Sequence, residues 1–216
     1  MSFRWLLNAT LSVAICLSFG CALLGKSEPQ ARRYFTPEAI DAAVPAGAPT
    51  AAPAASAAGQ KLRLRLGRIT AWSHLRERIV TRTSARELSY SETKRWTERP
   101  ELYLQRSLSH SLFEERGLTQ VISGGAPTLE VELVAFEEVE SPRRALFQAL
   151  VMMHDERTGL LQETVTVEQP IESKDADPTP ALVEALARAL KIAVAQISDK
   201  AVARLAAMPA MQGREP

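Results

Sequence analysis

Hydrophobic and polar residues alternate in several stretches of the chain, and this pattern predicts β-strands with one buried face. In the run that begins at Lys61, leucines at positions 62, 64 and 66 alternate with basic residues, and the pattern continues to Trp72. Segment 144–154 is more continuously apolar, as expected of a central strand. Shorter segments predict further strands: 33–36, 78–82, 87–90, 120–123, 129–133 and 160–168.

Two segments have the periodicity of helices instead. After Pro100 a leucine recurs at every fourth position, and Gly117 follows as a stop, which predicts a helix of about 14 residues. A longer apolar stripe extends to Leu205, with Thr179 as its predicted cap and Pro180 in its first turn. The order of elements predicts an α+β two-layer sandwich. Its sheet is mainly antiparallel, two helices pack on one face, and the C-terminal helix is long.

The N-terminus has the pattern of an export signal. Arg4 precedes an apolar run from Trp5 to Phe19, and Gly20 then precedes Cys21. A small residue before a cysteine is typical of a lipoprotein cleavage site, although the two residues before Gly20 depart from that pattern. We therefore predict that Cys21 carries a lipid after cleavage. An uncleaved anchor helix is the alternative, because the length of the apolar run is close to that of a membrane-spanning helix, about 20 residues.

Cysteine content and charge narrow the function classes. The other cysteine, Cys16, lies inside the predicted signal, so the mature chain would have no cysteine besides Cys21 for a disulfide or thiolate metal site. The chain has 26 basic and 25 acidic side chains, with His counted as neutral. A nearly neutral chain has no overall electrostatic attraction to nucleic acid or to an anionic membrane.

Composition also predicts how the chain is organised. Alanine and proline dominate residues 36–59, which contain few large apolar side chains and therefore predict a loop or linker. The predicted organisation is a lipoprotein signal peptide (1–20), a membrane tether (21–33), a folded domain (34–207) with an Ala/Pro-rich loop (37–60), and a disordered tail (208–216).

No residue pattern supports catalysis. The three histidines, His74, His110 and His154, are scattered, and we expect them to be surface or edge residues rather than metal ligands. Ser91 and Lys94 match the spacing of a serine–lysine nucleophile, but no companion motif follows. We therefore predict a protein that is not an enzyme, with no catalytic residues, no cofactor and no metal.

Three aromatic residues lie in or near the charged segment 94–100, where the first predicted helix begins. They are Tyr90, Trp96 and Tyr103. A tryptophan among charges is typical of an interaction hot spot, so we predict partner binding at these three residues. The alternative is that Trp96 plugs the junction between the sheet and the helix.

An ordered series of segments resembles a known family, the ABC-type transport auxiliary lipoproteins, which include the paraquat-inducible lipoprotein. The resemblance extends from Tyr34 to Ala207. It depends on these segments, in order behind a lipoprotein signal: Tyr34 to Thr36, the strand Leu64 to Trp72, Arg78 to Arg82, Glu87 to Tyr90, Arg95-Trp96 before Pro100, and the long C-terminal helix.

The resemblance implies a function in transport. Members are anchored in the outer membrane, face the periplasm, and act beside an ABC permease, its ATPase and a mammalian-cell-entry (MCE) domain protein that move lipids or hydrophobic compounds between membranes. Ala22 after Cys21 agrees with outer-membrane sorting. The alternative is a periplasmic lipoprotein that itself binds and carries a lipid. No nucleic-acid partner is implied, and the resemblance leaves open whether the protein forms a homo-oligomer.

Overall fold

The computed structural model describes residues 31–38 and 62–208. The predicted signal peptide, the lipidation site Cys21 and most of the predicted tether and tail lie outside the described residues, as does the predicted loop beyond residue 38.

The described residues form eight strands and two helices. The strands are β1 (Arg33–Phe35), β2 (Arg63–Ala71), β3 (Arg78–Ser84), β4 (Glu87–Trp96), β5 (Thr119–Gln120), β6 (Thr128–Val139), β7 (Arg144–His154) and β8 (Gly159–Pro170). The helices are α1 (Pro100–Ser109), which continues into a π-helical turn at His110–Glu115, and α2 (Thr179–Ala206).

All eight strands belong to one mixed sheet built around β6. Along one edge β6 pairs antiparallel with β7 over its whole length, and β7 pairs antiparallel with β8. The other edge of β6 is shared: β2 pairs with its first half and β3 with its last two residues, both parallel. Strand β4 joins β3 antiparallel, while β1 and β5 add short parallel pairings to β4 and β2. The prediction of an α+β fold with a mainly antiparallel sheet is confirmed.

One face of the sheet is covered by the helices and holds the hydrophobic core. Alternate residues of β7 from Ala145 to Met153 are fully buried there, and Val165 and Val167 of β8 continue the same face. Helix α2 contributes large side chains such as Leu186 and small fully buried ones: Ala185, Ala189, Ala193 and Ala201. The alanines let the helix axis approach the sheet closely, and burying each large aliphatic side chain stabilises the fold by about 1.5–3 kcal/mol.

Three local predictions differ from the structure. Strand β4 continues to Trp96 rather than ending at Tyr90, because β1 pairs with its last three residues. The helix after Pro100 changes to π-helical geometry at His110. At the start of α2, Thr179 is already helical, and its backbone N–H donates to the carboxylate of Asp177 at 3.1 Å instead.

Candidate partner-binding surface

The second face of the sheet is not covered by either helix, and we call it the open face. Along β8, residues 162, 164, 166 and 168 are exposed on this face and alternate with the buried Val165 and Val167. On the neighbouring strand β7, Met152 has 41% of its surface exposed. The open face is therefore a broad, preformed surface on a rigid sheet, which suits recognition of a macromolecule better than enclosure of a small one.

Three exposed aromatic side chains lie on the open face, on β1, on β4 and directly after β2. Tyr34, Trp72 and Tyr90 have 59%, 46% and 40% of their surface exposed. Strand register places Tyr34 beside Arg95 and Tyr90 beside Val80. We define Tyr34, Trp72 and Tyr90 as the aromatic surface.

The predicted partner-binding residues have different environments. Trp96 and Tyr103 are each 1% exposed, and the Trp96 ring centroid lies 5.2 Å from that of Phe136 and 6.4 Å from that of Tyr103. The Tyr103 hydroxyl pairs with the Thr97 hydroxyl at 2.7 Å. Trp96 therefore packs in the core at the junction between sheet and helix, which was the alternative interpretation. Of the three predicted residues, only Tyr90 is exposed to a partner.

A buried ion pair lies beneath the aromatic surface. The Glu137 side chain is fully buried on the open-face side of β6, with Arg82 Nε 2.5 Å and His74 Nε2 3.8 Å from its carboxylate oxygens. The His74 ring in turn packs edge-on against Trp72, with centroids 6.1 Å apart. Glu137 therefore lies close to the connection after β2 that carries Trp72, without a hydrogen bond to His74.

A cavity of about 290 Å³ opens beside Tyr90, and we call it the arginine cavity. Three arginines, Arg76, Arg78 and Arg95, are among the residues that line it. Sequence reasoning missed this cluster, because positions 78 and 95 are brought together only by the β3–β4 register. The available signal was weak: many basic residues lie between positions 61 and 99, without a period that predicts one cluster.

Two charge clusters tie the N-terminal strand to the rest of the fold. Hydrogen bonds from the Thr179 side chain, from Arg33 and from the Thr179 backbone, together with the charge of Lys94, hold the pKa of Asp177 well below its usual range. On the helical side, carboxylates of Glu38 and Glu98 raise the pKa of Arg106. Residues 33–38 are thus held at both the sheet and α1.

Further features of the described residues concern metal ligands, membrane spans and a second groove. No group of three or more potential metal ligands occurs within residues 31–38 and 62–208. His110 Nδ1 lies 2.9 Å from Glu114 as an exposed pair one helical turn apart. In the same part of the chain, no helix is both long enough and apolar enough to cross a membrane.

A groove of about 500 Å³ runs along α2, with Leu190 and Val194 on its floor.

A family model for the ABC-type transport auxiliary lipoprotein component matches residues 45–198, well over half of the chain. The chain belongs to this family. The resemblance inferred from its sequence is confirmed.

Solved structures show that the fold of this auxiliary lipoprotein recurs. It is similar to a Xanthomonas campestris protein of the DUF330 family (TM-score 0.60, 16% identity, covering 70% of this chain and 90% of that one). It is also similar to a hypothetical protein from Chlamydia trachomatis (TM-score 0.50, 10% identity, covering 69% and 100%). No curated protein sequence matches this auxiliary lipoprotein significantly.

Family membership assigns the protein to transport. It is a lipoprotein that serves as an auxiliary component of an ABC-type transport system.

Proposed function

We propose that this protein is the outer-membrane component of an MCE-type ABC transport system that moves lipids or other hydrophobic compounds between two membranes. It is anchored through a lipid on Cys21 and faces the periplasm. It takes no part in covalent chemistry and docks the MCE-domain protein through the aromatic surface of Tyr34, Trp72 and Tyr90. The observation that carries the proposal is this set of exposed aromatic side chains on the face of the sheet that neither described helix covers.

The composition of the surface supports docking of a protein. Tyrosine, tryptophan and arginine are the residues that most often dominate binding energy at protein interfaces. Tyr90 lies on a paired strand, and the Trp72 backbone N–H donates to the Leu133 carbonyl at 2.9 Å. Because the backbone at both positions is already ordered, binding loses less conformational entropy, which favours affinity.

The proposed anchor is compatible with this arrangement. A diacylated cysteine supplies the two-chain attachment that one chain cannot, so Cys21 would hold the protein stably in a membrane. Intact-mass and peptide mass spectrometry of the mature protein tests it. We expect an N-terminal peptide that begins with a lipid-modified Cys21, and a peptide beginning at Met1 would contradict the anchor.

Co-purification tests the docking surface. The full-length lipoprotein is expressed with the MCE-domain protein encoded nearest to it, and the recovered partner is quantified. We expect the double variant Trp72→Ala, Tyr90→Ala to weaken the complex at least tenfold, equivalent to about 1.4 kcal/mol, because two interface aromatics are truncated. Ile122→Ala is the matched control, since Ile122 is 89% exposed and distant in sequence from this surface. Equal recovery with the double variant and the wild type would contradict docking at the aromatic surface.

The groove along α2 favours a second candidate, a lipoprotein that itself carries a lipid. Its volume of about 500 Å³ and apolar floor could take part of an acyl chain. The full chain is purified in mild detergent, and bound phospholipid is quantified by mass spectrometry. Stoichiometric phospholipid that disappears in Val194→Trp but remains in Ile192→Trp would favour this candidate, and phospholipid at background level would eliminate it.

A further inference from the structure

We propose that the arginine cavity is a binding site for a phosphate group, either that of a phospholipid head group or free phosphate. The proposal goes beyond partner docking, because it assigns a ligand chemistry to the cavity itself. It depends on the charges, unpaired donors and strand register of the residues that line it.

The lining has an excess of positive charge. Arg76, Arg78 and Arg95 share this lining with a single carboxylate, that of Glu77. Ser73, His74 and Tyr90 complete the lining. None of the three arginines has an ion-pair partner among residues 31–38 and 62–208.

Several other arginines in the described fold do have carboxylate partners. Arg82 contacts Glu137, Arg106 contacts Glu38 and Glu98, and Arg116 contacts Asp199. The arginine cavity differs from these sites because three arginines without an ion pair line one pocket.

Strand register places two of these charges directly against each other. Arg78 and Arg95 are direct partners in the antiparallel β3–β4 ladder, and like charges at opposed positions destabilise a sheet. A bound anion between them would replace this repulsion with attraction. A ligand should therefore stabilise the fold as well as occupy the cavity.

A hydrogen-bond donor beside the cavity also lacks an acceptor. Arg95 Nε is inaccessible to solvent and has no hydrogen-bond partner in the structure. Buried donors in folded proteins nearly always have partners, so a rotation of the Arg95 side chain towards the cavity would let a ligand oxygen supply the missing acceptor.

The arrangement favours phosphate over a carboxylate. A carboxylate has two coplanar oxygens, which a single guanidinium fork can bind completely. The three guanidiniums here come from different backbone positions: the connection after β2, β3 and β4. A tetrahedral phosphate presents oxygens in several directions and can accept from all three. At about 290 Å³ the cavity also has room for the alcohol of a phosphate ester.

Direct titration of the full-length protein tests the proposal. Isothermal titration calorimetry at constant ionic strength uses three probes: inorganic phosphate, dihexanoylphosphatidylglycerol and hexaglutamate. Dihexanoylglycerol, which lacks the phosphate, controls for partition of the short-chain lipid into detergent. We expect saturable binding of a phosphate probe and an increase in Tm on binding. Tighter binding of the phospholipid identifies a head group as the source, and equal or tighter binding of inorganic phosphate identifies free phosphate.

Variants separate this site from other basic residues. We expect Arg95→Gln and Arg78→Gln each to weaken phosphate binding at least tenfold. Arg157→Gln should bind as the wild type does, because Arg157 is exposed in the β7–β8 turn. Thermal unfolding without ligand checks that each variant is folded.

Three results would overturn the proposal: no saturable binding of either phosphate probe, unchanged binding by both folded cavity variants, or tighter binding of hexaglutamate than of the phosphate probes. Because no partner protein is present, failure here leaves the docking proposal untouched. Failure of docking likewise leaves phosphate binding intact.

Discussion

Glu137 is the residue whose charge is most completely removed from water. Its side chain is fully buried, whereas its partner Arg82 keeps 29% of its side chain exposed. Burial of an unpaired carboxylate is costly, and a close guanidinium offsets that cost. Glu137 also lies beneath His74, so the same residue connects the stability of the sheet to the position of the aromatic surface.

The Arg82–Glu137 pair leads to a prediction about stability. We expect Arg82→Ala to lower the free energy of unfolding by roughly 3–5 kcal/mol, because it leaves the Glu137 carboxylate buried without its partner. The double variant Arg82→Met, Glu137→Met should recover much of this loss, since no charge stays buried. Urea unfolding of both variants measures the difference. A loss below about 1 kcal/mol in Arg82→Ala would indicate that solvent reaches Glu137 freely.

Asp177 provides a prediction with a defined pH dependence. Its carboxylate accepts hydrogen bonds from the first turn of α2 and contacts Arg33 and Lys94, and these interactions lower its pKa. At neutral pH we expect Asp177→Asn to cost roughly 0.5–1 kcal/mol, a value that allows for solvent screening of a side chain that is more than one third exposed.

The sign of the pH effect follows from the direction of the shift. Because the pKa of Asp177 is lower in the folded than in the unfolded state, its carboxylate stabilises the fold fully above about pH 4, the unfolded pKa. This stabilisation is lost as the pH falls towards the folded pKa. The stability difference between the wild type and Asp177→Asn should therefore narrow below about pH 4. Asp175→Asn, at an exposed neighbouring carboxylate, is the control and should show no such difference. A constant difference down to pH 2 for Asp177→Asn would contradict the assignment.

At the scale of elements, the irregular middle of β2 has a steric cause. The pairing of β2 with β6 shifts register between Leu66 and Ile69, and Gly67 lies within this bulge. A Cβ atom at position 67 would lie 2.6 Å from Thr128 Cγ2 and 3.2 Å from the Leu129 carbonyl oxygen. The close approach of the two strands therefore requires glycine here.

Substitution of Gly67 tests that approach. We expect Gly67→Ala to lower the free energy of unfolding by about 1–3 kcal/mol, as overpacking does when backbone and a β-branched side chain must shift. Gly159→Ala is the matched control, because a Cβ there meets nothing within 4 Å. Thermal or chemical unfolding of the two variants measures this difference in stability. Equal stability of both would show that β2 and β6 separate at little cost.

Periodicity predicted most elements well where it was strong. The alternation that begins at Leu62 corresponds to β2, and the apolar stripe ending at Leu205 corresponds to α2. Prediction failed where pairing decides the structure. The second half of β4 has no clear alternation, and its strand conformation depends on β1, which lies more than 50 residues earlier in the sequence.

At the scale of the whole molecule, the sheet topology creates both surfaces that we assign to function. Both edges of β6 are paired and both helices pack on one face, so neither helix of the described residues covers the opposite face. The aromatic surface and the arginine cavity are formed by residues of β1, β3, β4 and the connection after β2. Sequence reasoning selected Tyr90 but also the buried Trp96 and Tyr103, because a single sequence does not show which aromatic side chain faces the core.

Site-specific photo-crosslinking in cells tests the central claim, that the aromatic surface docks the MCE-domain partner. A photoreactive phenylalanine analogue replaces Tyr90 in the full-length lipoprotein, and Ile122, exposed outside this surface, is replaced in parallel. We expect a crosslink to the MCE-domain protein from position 90 and none from position 122. A crosslink from position 122 alone, or from neither position when the complex is present, would contradict it.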